Sequence, residues 1–286
     1  MRIVEGVAAL AKLFRGFLLD QWGVLHDGER ALPDAASTLE ALLRSGARVV
    51  LLSNSGRRAD DNRRRLERLG FSTEGLAGIL TSGELTWRAL RDRPGPPWTE
   101  LGRRCLLLSI GGDLGPVAGL DLDLVDDVAE ADFLLVSGLE GKPAEAWRWL
   151  LEAARVRGLP LVCSNPDRVA PSPSGFVDSP GKLAAMYELS GGRVIYVGKP
   201  FAAVYEACRA LLPDLRSEDI LAIGDSLEHD VKGAAAQNIK TCLVTSGIHA
   251  AEIGPRVAED ERRLALERLC RSYGVVPDFL IERFVW

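Results

Sequence analysis

Apolar residues fall into two rhythms along this chain. Short runs end abruptly in small or polar residues: Phe17 to Leu19, Arg48 to Leu52, Arg104 to Ile110, Asp132 to Val136, Leu159 to Cys163, Arg193 to Val197, Ile220 to Ile223 and Thr241 to Val244. Runs of this length with little alternation predict strands buried on both faces, as in a parallel sheet. Between them lie stretches with apolar groups three and four apart. Pro33 to Arg44 is the clearest, with Ala35, Leu39, Leu42 and Leu43 on one stripe, Pro33 suited to a first turn and Gly46 to the stop. Further helices are predicted over Arg58–Leu69, Thr81–Leu90, Pro143–Val156, Lys182–Leu189, Phe201–Leu211 and Ala258–Ser272. Strands alternating with helices predict an α/β fold around a doubly wound parallel sheet.

The rhythm is interrupted once. Arg93-Pro94-Gly95-Pro96-Pro97 breaks regular structure, and the short strands from Arg104 to Cys163 read as a separate, smaller α/β unit. Asn165-Pro166-Asp167 and Pro171 to Gly175 mark the return connection, and the first rhythm resumes at Gly181. The expected organisation is a core of residues 1–80 and 180–286 with an inserted cap of residues 81–179.

Composition narrows the function classes. The chain has 286 residues, 47% apolar and 26% charged, enough for about two packed domains. A net charge of −5 argues against nucleic acid as the main partner. No apolar run approaches the ~18 residues of a membrane span, so no membrane association is expected. Met1 to Gly16 lacks a basic start and an uninterrupted apolar centre, so it does not read as a signal peptide. The five cysteines are widely spaced in apolar settings, which predicts buried thiols in a reducing cytoplasm. The arginines around residues 57–68 alternate with Asp60, Asp61 and Glu67, the pattern of a solvated helix face.

Chemistry gathers where runs end. Asp20 follows the first apolar run, Ser53 with Asn54 follows the second, Lys199 stands between Gly198 and Pro200, and Asp225 follows Ile220–Gly224 with Asp230 close behind. The carboxyl edge of a parallel sheet is where ligands bind. Each residue has a plainer role open to it: Asp20 as a turn cap, Ser53 as a helix N-cap, Lys199 as an exposed turn lysine. Together they form an oxygen-rich site for a hard cation such as Mg²⁺. The hydroxyl, the backbone N–H groups of residues 53–56 and the lysine suit phosphate oxygens.

The segments LLDQWGVLHDG, VVLLSNS, NPDRVAPSPSG with PGKLA, YVGKP and AIGDSLEHDVKGA run in the order found in the haloacid dehalogenase superfamily. The chain resembles the class IIA branch of that superfamily, with a large α/β cap on a Rossmann-like core, to which sugar-phosphate and nucleotide phosphatases belong. The resemblance implies Asp20 as nucleophile, Ser53 as phosphate donor, Lys199 as the clamp on nucleophile and phosphoryl group, and Asn54 beside them in the substrate site. It implies Mg²⁺ held by Asp20, Asp225 and Asp230 and by the backbone carbonyl of Trp22, with a small phosphorylated metabolite as partner. Caps of this sort can carry a homodimer contact, although no surface is singled out by the sequence.

One position departs from the pattern. The family's phosphatases carry a second Asp two residues after the nucleophile, to protonate the leaving alcohol and then activate water. Here that residue is Trp22, whose indole is only an N–H donor. Three outcomes follow: a slow or specialised phosphatase, with His26 as the nearest titratable residue in the loop; a dehalogenase-type hydrolase, whose halide needs no acid; or a protein that binds Mg²⁺ and a phosphorylated ligand without turnover. Retention of Asp225 and Asp230 favours phosphate over halide.

Overall fold

The unbroken apolar runs fold as strands with every side chain sequestered: Gly16–Leu19, Ile220–Gly224 and Phe133–Val136 are buried at each position. The computed structural model describes residues 1–172, 175–254 and 259–286. The chain divides into two units: Met1–Ser53, Arg63–Leu80 and Lys199–Trp286 form the first, and Asn54–Asn62 and Thr81–Gly198 the second.

The first unit is built on a seven-stranded sheet. Its order is Arg2–Ile3, Phe279–Ile281, Lys240–Val244, Ile220–Gly224, Gly16–Leu19, Arg48–Ser53 and Gly78–Thr81. The pairs from Arg2–Ile3 across to Arg48–Ser53 are all parallel. The helix Ala35–Arg44 shows why the apolar spacing is diagnostic: Ala35, Thr38, Leu39 and Leu42 are its buried residues, and Leu39 and Leu42 join Phe17, Leu19, Val49 and Leu51 in one core. Sequestering a Leu or Phe side chain of this kind is worth roughly 1.5–3 kcal/mol. The first sixteen residues belong to this fold. Arg2–Ile3 is an edge strand, and the short helix Val7–Ala11 buries Val7 and Leu10 in the same core.

The second unit has its own five-stranded parallel sheet, in the order Val194–Tyr196, Leu161–Cys163, Phe133–Val136, Arg104–Leu108 and Asp123–Leu124. An antiparallel hairpin, Val169–Ser172 with Gly175–Asp178, is added to it in sequence. The helix Ser82–Asp92 begins at Thr81, whose hydroxyl accepts a bond from Glu84 N at 2.9 Å, a capping arrangement that satisfies a free backbone donor.

Several boundaries differ from the sequence reading. Residues 180–198, assigned there to the core, cluster with the second unit. The physical reason is pairing: Val194–Tyr196 runs parallel to Leu161–Cys163, and the helix Pro180–Leu189 packs Leu183, Ala184 and Tyr187 into the apolar cluster that holds Leu161 and Cys163. Residues 54–62 belong to the same unit. The expected return link at Pro171–Gly175 is largely hairpin, with Pro173 and Ser174 outside the described residues, as is the expected helix start at Ala258. The helix expected from Pro143 opens as a 3₁₀ turn, Ala144–Trp147, before the α-helix Arg148–Val156. All five cysteines are buried free thiols. No helix among the described residues is long and apolar enough to cross a membrane.

Candidate active site

Asp20 and Asp225 leave the ends of adjacent strands. Leu19 is in register with Ile223, and Asp20 N bonds to Ile223 O at 2.9 Å. The next residues on each side are therefore forced together at the carboxyl edge. Asp230 is returned to that edge by a wide turn over Leu227–Val231, closed by Val231 N to Ser226 O at 3.1 Å. One carboxylate oxygen from each of Asp20, Asp225 and Asp230 lies within 4.8 Å of the others.

The backbone is cut away to admit these carboxylates. A Cβ on Gly23, whose φ is +75°, would stand 1.9 Å from Asp225 Oδ2. One on Gly247 would stand 2.2 Å from the Asp225 side chain, and one on Gly224 would stand 2.0 Å from Asp230 Cγ. Two backbone donors complete the fit: Ile248 N to Asp225 Oδ2 at 2.8 Å and Ser226 N to Asp230 Oδ2 at 3.1 Å.

Lys199 supplies the positive charge. Its Nζ lies 2.6 Å from Asp20 Oδ1 and 2.6 Å from Asp230 Oδ1, with the lysine 3% exposed. The strand preceding it, Val194–Tyr196, is part of the smaller sheet, so Lys199 does not stand at a strand tip of the large one, as the sequence reading had it. One ammonium does not balance three buried carboxylates. Burial, then the Asp230 charge, pushes Asp20 up to about 7 against the pull of Lys199. Burial, then Asp20 and Asp230, holds Asp225 well above the usual carboxylate range. Three convergent oxygen donors with excess negative charge, in a backbone cradle too tight for a side chain, fit a small hard cation.

Trp22 occupies the loop after Asp20. Gly28, at φ +103°, faces its ring: a Cβ there would stand 2.8 Å from Trp22 Cη2. The Arg65 guanidinium lies 5.8 Å from the ring centroid and donates to the Gly28 carbonyl. His26 is buried at 3% exposure, and its Nδ1 accepts from Gly28 N at 3.1 Å. Burial, reinforced by the Arg65 charge, pushes His26 down to about 4. It is neutral at pH 7 and carries no proton suited to an acid's role.

Ser53 ends the strand beside Gly16–Leu19, two residues beyond the Leu19–Leu51 pair. Asn54 begins the second unit, and its side chain is engaged there. Its Nδ2 donates to Asp167 Oδ1 at 2.8 Å, and its Oδ1 accepts from Ser82 Oγ at 3.2 Å. Sequence reasoning did not single out Gly247 and Ile248, which wall and bond Asp225. The only available signal was the small, polar end of the preceding strand at Thr245-Ser246-Gly247.

Residues 17–120 match the profile of the haloacid dehalogenase-like hydrolases, and residues 196–269 match the HAD-hydrolase-like profile. Human chronophin is 30% identical over 279 residues, covering 94% of this chain and 90% of that protein. Sugar-phosphatase AraL of Bacillus subtilis is 27% identical over 239 residues, covering 81% and 83%. The crystal structure of a haloacid dehalogenase-like hydrolase from Brucella suis superposes with a TM-score of 0.82 at 28% identity, over 99% of this chain and 100% of that one.

Proposed function

The chain belongs to the haloacid dehalogenase-like hydrolases, and on that footing we propose that it is a phosphoric monoester hydrolase. Its substrate is a small phosphorylated metabolite, a sugar phosphate or nucleotide, cleaved through an aspartyl-phosphate on Asp20. The observation that carries this reading is the buried Lys199 ammonium between Asp20 and Asp230, with Asp225 beside them. The names of relatives such as sugar-phosphatase AraL support the substrate class.

An Asp20 carboxylate oxygen attacks phosphorus in line. The bond to the leaving oxygen breaks, and water later hydrolyses the acyl phosphate, returning Asp20 and releasing inorganic phosphate. Lys199 keeps Asp20 oriented and offsets charge on the phosphoryl oxygens. Ser53 donates to a phosphoryl oxygen from the neighbouring strand end. Asp20, Asp225, Asp230 and the Trp22 carbonyl would hold Mg²⁺, which supplies Lewis-acid stabilisation of the developing charge when bound. Trp22 gives no proton to the leaving oxygen, so substrates with good leaving groups are turned over fastest.

Trp22 also favours a second reading, a protein that binds a phosphorylated ligand and turns it over little. A screen of phosphorylated metabolites with and without Mg²⁺, paired with acid quenching to trap phosphorylated Asp20, separates the two. Turnover that is Mg²⁺-dependent and lost in both Asp20→Asn and Asp225→Asn is expected. Activity unchanged in both variants would end the phosphohydrolase assignment, and a trapped phospho-Asp20 without release would favour the second reading.

A further inference from the structure

The smaller sheet has a crevice of its own. In chain order, the polypeptide leaves Arg104–Leu108 toward Asp123–Leu124 on one side and leaves Phe133–Val136 toward Leu161–Cys163 on the other. Arg104–Leu108 and Phe133–Val136 are neighbours. Their outgoing loops therefore diverge, and the carboxyl edge between them is a topological switch point, where open parallel sheets hold ligands. A cavity of about 260 Å³ lies there. Both diverging loops line it, through Ser109 and Gly112 after the first strand and Gly138 and Glu140 after the second.

The lining states what it accepts. Leu106, Leu108, Val125 and Leu150 supply apolar walls beside an equal polar share, and Trp147 and Trp149 add two rings. Trp147 Nε1 is buried beneath the lining, out of an occupant's reach, with no hydrogen-bond partner among the described residues. Among the described residues, the charged lining groups are Asp126 and Glu140, and none of the lining residues is basic. A cation already visits its rim: Lys142 Nζ stands 5.3 Å from the Trp147 ring centroid and 3.1 Å from Glu140 Oε2. Glu140 itself holds a left-handed backbone at φ 51°, a conformation that non-glycine residues adopt where the surroundings require it.

We propose that this crevice is a ligand site belonging to the smaller unit, distinct from the chemistry at Asp20, for a flat aromatic ring carrying no negative charge. Size supports a fused two-ring system, since cavities of roughly 150 Å³ already accept benzene. Acidic lining groups and the faces of two indoles select against anions and favour a cationic ring. Phosphate-bearing substrates are therefore excluded as its occupants.

The test uses three probes of one shape on the full chain: quinoline, N-methylquinolinium and 2-naphthoate. The Trp147 indole N–H signal is assigned by Trp147→Phe and followed in ¹H–¹⁵N spectra. Quinoline and N-methylquinolinium are expected to shift it saturably, and 2-naphthoate to leave it in place. Asp126→Asn is expected to weaken N-methylquinolinium by about 2- to 5-fold, the worth of one solvent-exposed charge pair, without changing quinoline. Val125→Trp, which fills the cavity, is expected to abolish both. Trp147→Ala removes one ring from the wall, so ligand-observed binding of quinoline should fall several-fold. That variant decides the matter if Val125→Trp loses the near-ultraviolet dichroism of the parent. An unmoved Trp147 signal, equal response to 2-naphthoate, or binding that survives both Val125→Trp and Trp147→Ala would overturn the assignment.

Discussion

The Lys199 ammonium lies 2.6 Å from Asp20 Oδ1, although 179 residues separate them in sequence. The pair is buried, so removing one partner leaves an uncompensated charge. Lys199→Met is expected to destabilise the protein by about 3–5 kcal/mol and to lower kcat/KM on any phosphate ester by at least ~10²-fold. Chemical denaturation and steady-state kinetics check the two effects separately. Wild-type kcat/KM in a folded Lys199→Met protein would remove the lysine from the mechanism.

Asp225 is held well above the normal carboxylate range by burial and by the charges of Asp20 and Asp230. Replacing it with Asn removes that repulsion while leaving an oxygen to accept from Ile248 N. Without added metal, Asp225→Asn should therefore melt higher than the parent, by about 1–2 kcal/mol in stability. The Mg²⁺-induced rise in Tm of the parent should vanish in the variant. A metal response of equal size in both proteins would place the cation elsewhere.

In the proposed mechanism Trp22 takes the place of a general acid, and such catalysis is worth ~10²–10⁴ in rate. The parent should hydrolyse an aryl phosphate such as p-nitrophenyl phosphate far faster than an alkyl phosphate such as glycerol phosphate. Trp22→Asp should narrow that gap, chiefly by raising kcat on the alkyl ester by at least ~10-fold. If the ratio of the two rates does not move, a missing proton is not what limits the parent.

His26 is pushed down to about 4 from its ordinary 6.5, by burial and then by Arg65. Between those values the unfolded chain binds a proton that the folded chain does not. Its contribution is thus complete above pH 6.5 and is lost as pH falls toward 4, by up to about 3 kcal/mol. His26→Asn keeps an acceptor for Gly28 N and removes the titration. Its stability should fall less steeply from pH 6.5 to 4 than that of the parent. Parallel curves in urea titrations across that range would show that the ring is not desolvated.

Gln21 is 1% exposed, and neither polar atom of its side-chain amide has a hydrogen-bond partner among the described residues. An unsatisfied buried amide costs about 1–3 kcal/mol. Gln21→Met, similar in length and apolar, should stabilise the fold by about 1 kcal/mol or more. A lower Tm in this variant would mean that the amide has a partner in solution.

Asp20 and Asp225 were legible in the sequence because a buried parallel strand announces itself as an apolar run, and its next residue lies at the ligand edge. Lys199 was legible as a residue but not in its setting. The strand before it looks like any other, and only pairing with Leu161–Cys163 reveals which sheet owns it. The same ambiguity moved residues 180–198 from one unit to the other, since strand–helix alternation is identical in both. The contacts of Arg65 with Trp22 and of Asn54 with Asp167 were not legible. They join side chains 43 and 113 residues apart, and no local pattern records such a meeting.

Gly23, Gly224 and Gly247 have a consequence for how this centre can change. Main chain presses on Asp225 and Asp230 so closely that any of the nineteen larger side chains at these positions must push a carboxylate aside. Laboratory evolution should find them immovable and inherit the charged centre whole. New specificity is left to arise at places where a side chain already fills the space, with Trp22 foremost among them.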